Sequence, residues 1–129
     1  MHKYKDIGFR LTPQRVAILE YLDGNKHHPS AEEIYTAILG TFPTMSLATV
    51  YTTLAALKKM GKVRMLTIDP GKKRYDPDTL SHGHMICISC KRIIDLEGDV
   101  QHALCDAATR DFTVITSSIE LSGVCPNCK

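Results

Sequence analysis

Two Cys-x-x-Cys pairs, Cys87/Cys90 and Cys125/Cys128, restrict what this chain can fold into more than any other feature. Each pair forms a turn whose two sulfurs converge on one ion, and four thiolates suit tetrahedral Zn2+. Such a site has no open coordination position, so it is a structural staple and not a catalytic centre. The lobe that carries it, from residue 81 to 129, has only about 49 residues, few for a self-sufficient core. A structural zinc is worth about 10–16 kcal/mol of apparent binding free energy in small peptides, enough to close such a lobe. Disulfides compete for the same cysteines. Against them stand a start, MHKYKDIGFR, without the apolar stretch of an export signal, and an odd count of five cysteines. A thioredoxin-like redox pair is the other reading. A zinc deaminase fits poorly, because Pro126 lies inside the second pair and no His-x-Glu precedes it. Cys105 falls within a helical pattern close to its apolar stripe, where packing is the default role.

The chain has 129 residues, 43% of them hydrophobic and 23% charged, which excludes global disorder and fits one compact domain or two small lobes. No run of 18 apolar residues occurs, so no membrane span and a cytoplasmic location are expected. Charge is unevenly spread. Residues 1–80 hold 12 Lys/Arg against 8 Asp/Glu, and residues 81–129 hold 4 against 6. A basic front and an acidic back suggest lobes with different partners, the first a nucleic acid.

The front lobe reads as helices. Thr12-Pro13 is an N-cap with proline at the first helical position, where its missing N–H costs nothing. Val16, Leu19 and Leu22 make an apolar stripe that Asp23-Gly24-Asn25 ends. Ser30-Ala31-Glu32-Glu33 is a capping box, with Ile34, Ile38 and Leu39 as the buried face. A third helix begins at Ser46, repeats Leu47, Val50, Leu54 and Leu57 at helical spacing, and stops at Gly61. VRMLTI, the turn Asp69-Pro70-Gly71 and KKRYD then predict a hairpin with a basic tip. Three helices and a hairpin are the order of a winged helix-turn-helix, with the third helix as recognition helix and the hairpin as wing. A small helical bundle with an appended hairpin is the alternative. Beyond Pro77, HMICISCKRIIDLE reads as two strands, Val100–Arg110 as a short helix and FTVITSSIEL as strand. The predicted fold is thus α+β, with a winged-helix lobe over 1–78 and a small α/β lobe over 79–129.

His82-Gly83-His84 marks a second site. Residues i and i+2 of a strand share a face, so both imidazoles can reach one ion. Asp76 and Asp95 flank them in sequence, and His28 precedes Pro29 in the front lobe; His27 and His2 are taken as solvent residues. Three imidazoles and two carboxylates would make a mixed N/O site for Fe2+ or Mn2+. Taken singly, each is an ordinary surface residue.

LTPQRVAILEYL, HPSAEEIY, SLATVYTTL, HGHMICISC and the terminal GVCPNC resemble the ferric uptake regulator (Fur) family from about Ile7 to Cys128. The resemblance implies a homodimeric, metal-dependent transcription factor that binds a palindromic double-stranded DNA operator. It also implies a dimerisation lobe stapled by zinc on Cys87, Cys90, Cys125 and Cys128. Among its branches the chain looks like the peroxide-responsive (PerR-like) one, where three His and two Asp hold the regulatory Fe2+ or Mn2+. These types match His28, Asp76, His82, His84 and Asp95, with His28 or His82 as the ligand that peroxide oxidises. Iron-sensing members usually carry Glu where this chain has Asp76 and Asp95, and a further metal site of theirs would fall at Ser81, Gly83 and near Ser117. Zinc sensors typically recruit a cysteine. One departure concerns the third helix, where peroxide-sensing relatives can carry Asn and Arg and this chain has Thr52, Thr53 and Ala55, without the commonest guanine-reading side chain.

The expected DNA contacts are Arg15, Ser46, Thr49, Tyr51 and Thr52, with Lys72, Lys73 and Arg74 on the wing; Tyr51 could instead be core, and the charges a solvated surface. No small organic ligand is expected, and oxidation of its own ligand is self-modification, so the chain is not expected to be an enzyme. The competing functions are an iron-availability repressor, a small metalloenzyme using the His/Asp site, and a zinc-stapled interaction module without DNA.

Overall fold

The computed structural model describes residues 10–79, 83–96, 111–113 and 119–129. Internal contacts divide the chain into two compact units, Met1–Thr79 and Leu80–Lys129.

Among its described residues the first unit holds three helices and a hairpin: α1 (Pro13–Leu22), α2 (Ala31–Leu39), α3 (Leu47–Lys59), β1 (Arg64–Leu66) and β2 (Arg74–Asp76). Every helix starts on a side-chain oxygen that takes an otherwise orphaned N–H. Thr12 Oγ1 accepts from Arg15 N, Ser30 Oγ from Glu33 N, and Ser46 Oγ from Thr49 N. α3 ends in a Schellman motif: Lys62 N donates to the Leu57 carbonyl and Gly61 N to that of Lys58. Gly61 has φ +71°, a left-handed conformation that a side chain would strain.

Helix faces follow the apolar repeats, with two differences. α1 buries Ile18 as well as Val16, Leu19 and Leu22, because it packs against both α2 and α3 and so has no single buried stripe. Leu39 is only half-buried at the end of α2, while Ile34 and Ile38 are buried. In α3, Val50, Leu54 and Leu57 enter the core as expected, and Thr53 joins them by donating its hydroxyl to the Thr49 carbonyl. Met45, Val63 and Tyr75 complete the core from the loops and the hairpin. β1 and β2 pair antiparallel, with Met65 opposite Tyr75 and Leu66 opposite Arg74. Each strand is three residues, shorter than VRMLTI and KKRYD suggested, because 67–73 form a loop in which Asp69 Oδ1 accepts from Gly71 N.

Among its described residues the second unit contains a three-stranded sheet in the order β4 (Ile93–Leu96), β3 (Gly83–Cys87), β5 (Glu120–Gly123). β3 runs antiparallel to β4 and parallel to β5. Ile86, Cys87 and Ile93 are buried apolar residues among those described. Gly83 sits where backbones crowd: a Cβ there would lie 3.0 Å from Leu96 Cδ1 and 3.2 Å from the Ile119 carbonyl oxygen. The expected helix Val100–Arg110, Cys105, Ser117 and His82 lie outside the described residues. Among the described residues, no helix is long and apolar enough to cross a membrane.

Candidate functional sites

The four CxxC cysteines converge. β3 ends at Cys87, the turn after it carries Cys90, and the segment following β5 brings Cys125 and Cys128 to the same place. Their sulfurs lie within 4.8 Å of one another, and Cys90 Sγ is 3.8 Å from Cys125 Sγ. A tetrahedron with arms of about 2.3 Å has edges of about 3.8 Å, so the spacing fits Zn2+. The turn is built for thiolates: Lys91 takes φ +66°, Lys91 N donates to the Cys87 carbonyl, and Cys125 N donates to Cys87 Sγ at 3.3 Å. Backbone N–H groups of Cys90 and then Cys125 hold the Cys87 thiol down to about 5. Cys128 is pushed up to about 12, because it keeps its proton to bond Cys125 and Cys87. Four adjacent thiols cannot all ionise alone; a divalent cation is what lets the whole set do so.

In the first unit His28 and Asp76 form a buried pair. His28 has no exposed surface and its Nε2 lies 3.5 Å from Asp76 Oδ2. The loop before α2 positions it with φ +54°, a region few non-glycine residues occupy. β2 secures that loop: Tyr75 N donates to the Pro29 carbonyl and Arg74 Nη1 to the His28 carbonyl. In the second unit His84 and Asp95 are direct cross-strand partners of β3 and β4, so their side chains share a face. His84 Nε2 lies 3.4 Å from Asp95 Oδ1, with His84 buried and Asp95 partly so. Both separations exceed a well-formed N–H···O bond. They approach the roughly 3.0–3.5 Å expected between neighbouring donors on one ion with bonds of about 2.1 Å. Each pair is therefore an N/O donor set. Of the five predicted ligands, His82 lies outside the described residues.

The outer face of α3 runs through Ala48, Tyr51, Thr52, Ala55, Lys58 and Lys59, all exposed at helical spacing. Tyr51 is on this surface and not in the core, 43% exposed. Its hydroxyl donates to Glu32 Oε1 of α2 at 2.5 Å, and the Thr52 hydroxyl donates to the Ala48 carbonyl. Ser46 and Thr49 share a hydroxyl–hydroxyl bond of 2.8 Å at the helix start. Arg15 Nη1 donates to the Arg10 carbonyl. At the wing Lys72 and Lys73 are exposed, and Lys72 Nζ pairs with Glu33 Oε1 at 2.7 Å.

Arg74 corrects the expectation of a phosphate contact. It is only 6% exposed, and its Nε pairs with the buried Asp69 Oδ2 at 3.3 Å while Nη1 holds the His28 carbonyl. A guanidinium so enclosed organises the protein interior. Asp69, Glu32 and Glu33 were not singled out from sequence as partners of these residues. The partners of Glu32 and Glu33 lie 19 and 39 positions away, and no local periodicity links them.

Comparison with known proteins places these features. The profile of the ferric uptake regulator family matches residues 6–122. The peroxide operon regulator of Bacillus subtilis (strain 168) is 41% identical over 126 residues, 96% of this chain and 87% of that protein. The iron-containing ferric uptake regulator from Francisella tularensis superposes with a TM-score of 0.84 at 27% identity, covering 96% of this chain and 97% of that one. The Campylobacter jejuni peroxide stress regulator gives 0.72 at 30% identity, over 90% of this chain and 89% of that one. A winged-helix unit and a thiol-stapled sheet, each bearing His/Asp donors, define a metal-responsive transcription regulator. The chain belongs to the ferric uptake regulator family.

Proposed function

We propose that the chain is a cytoplasmic, homodimeric repressor that binds a palindromic DNA operator when its regulatory metal is loaded and leaves it when peroxide oxidises a metal ligand. The observation that carries this reading is the distribution of donors. His28 and Asp76 belong to the DNA-binding unit, and His84 and Asp95 to the other. Residues His28, Asp76, His82, His84 and Asp95 would be the ones to hold the regulatory ion, and loading it would bias the chain toward the form that grips DNA. Only such differential affinity shifts a population. The identity to a peroxide operon regulator and the Asp76/Asp95 pair favour peroxide over iron availability as the signal.

The thiolate site takes Zn2+ and the N/O site Fe2+ or Mn2+, by donor softness. His28, Asp76, His82, His84 and Asp95 would hold the Fe2+, which would supply the chemistry that reduces peroxide: one peroxide oxygen would enter a ring C–H bond of His28 or His82 and the other would leave as water. The event is self-modification without turnover, so the chain is not an enzyme. Arg15, Lys72 and Lys73 serve phosphates, while Ser46, Thr49, Tyr51 and Thr52 face the groove. Replacing His84 or His28 with Ala should abolish Mn2+-dependent operator binding, measured by fluorescence anisotropy, while zinc stays bound. Unchanged metal dependence in either variant would remove the shared ion. Steady-state turnover of peroxide would instead favour a metalloenzyme.

A further inference from the structure

The outer face of α3 offers few groups that can read a base. It carries no Arg, Asn or Gln, and its two lysines lie in the last turn. The polar atoms in its middle are the hydroxyls of Tyr51 and Thr52. A hydroxyl has one hydrogen and two lone pairs, and both hydrogens are already used inside the protein. Thr52 donates to the Ala48 carbonyl at 2.8 Å, a bond within its own helix. Tyr51 donates to Glu32 Oε1 at 2.5 Å, a charge-assisted bond that reaches from α3 to the first turn of α2.

Resting on the DNA-binding reading above, we propose that Glu32 is a specificity-determining positioning residue: by taking the phenolic hydrogen of Tyr51 it leaves the middle of α3, Tyr51 and Thr52, presenting only hydrogen-bond acceptors to the major groove. The bases that match an acceptor there are those with an exocyclic amino donor, adenine through N6 and cytosine through N4. Guanine presents N7 and O6 and thymine O4, all acceptors, so a phenol whose hydrogen is committed meets them lone pair to lone pair. Phosphate oxygens are acceptors too, which directs Tyr51 to a base edge rather than to the backbone.

Glu32 acts through Tyr51 and needs no DNA contact of its own. The hydrogen bond from Tyr51 lowers the Glu32 carboxyl, and the same bond raises the Tyr51 phenol, so at neutral pH the proton stays on the phenol and the charge on the carboxylate. Both side chains are exposed, and neither belongs to the core of the unit.

The test is base selection by the Mn2+-loaded full chain from a randomised duplex pool, for wild type, Tyr51→Phe, Glu32→Ala and the double variant. Selected duplexes and their single-base substitutions are then titrated by anisotropy. Wild type should enrich adenine or cytosine at one position per half-site, and which of the two is read directly from the sequences. Tyr51→Phe should flatten that position alone. Glu32→Ala should relax the same position by admitting guanine or thymine, with discrimination reduced about two- to tenfold, the scale of one hydrogen bond. The double variant should equal Tyr51→Phe, since Glu32 has no effect without the phenol. A Glu32→Ala profile identical to wild type, or altered at a different position, overturns the proposal while the repressor reading stands. A wild-type protein that selects no sequence overturns both.

Discussion

Arg74 and Cys87 show how much a single side chain can decide. Arg74 and Asp69 are both buried and oppositely charged, and the guanidinium also holds the His28 carbonyl. Removing one member of such a pair leaves an uncompensated charge in a poorly solvated place. Arg74→Met should therefore cost about 3–5 kcal/mol in urea unfolding, against about zero to 1 kcal/mol for losing an exposed wing charge such as Lys73. A loss below 1 kcal/mol would show that the pair is solvated. Cys87 supports a second prediction. Its thiol lies below the ordinary range through backbone N–H donors, so the thiolate favours the folded form at neutral pH, and that contribution is lost as pH falls through about 5. Cys128 is shifted the other way. In metal-stripped protein whose circular dichroism shows the sheet retained, the pH midpoint of alkylation, which access does not move, should be lower for Cys87 than for Cys128 by peptide mass mapping. Equal midpoints in the folded protein would mean that the backbone donors do not act on the sulfur.

At the scale of elements, helix starts were legible in the sequence because capping is local: Thr12, Ser30 and Ser46 each bond a backbone N–H three residues ahead. The CxxC pairs were legible for the same reason. The burial of Arg74 was not, because KKRY reads as one basic run, and only the pairing of β2 beside the His28 loop sets the third cation apart. Nor was the corner where α2 meets α3 and the wing. There Glu32 engages Tyr51 and Glu33 engages Lys72, so adjacent acids of one helix turn restrain two side chains of the proposed DNA face. An ammonium held by a carboxylate at 2.7 Å is partly neutralised before any phosphate arrives. Glu33→Ala should release it, tightening duplex binding at low salt and steepening the slope of log K against log salt by about 1. An unchanged slope would show that Lys72 already leaves Glu33 for a phosphate in the wild-type complex.

Across the whole molecule the two donor sets divide labour by chemistry. Four thiolates suit Zn2+ without an open position, and they tie the end of β3 to the segment after β5. Imidazole and carboxylate bind Fe2+ or Mn2+ less tightly than thiolates bind zinc, so a site of this kind can load and unload in response to supply. Reactivity follows the same division, because zinc is redox-inert and iron is not. Peroxide given to the Fe2+-loaded protein should add the mass of one oxygen atom to a peptide containing His28 or His82 and abolish operator binding. Zinc content should be unchanged over the same period, and the Mn2+-loaded protein should pass through the same pulse unmodified and still bound. Oxidation confined to the cysteines, with release of zinc before loss of DNA, would move the sensor from the imidazoles to the thiolates. The His/Asp pairs would then bind a co-repressor metal and take no part in detecting the oxidant.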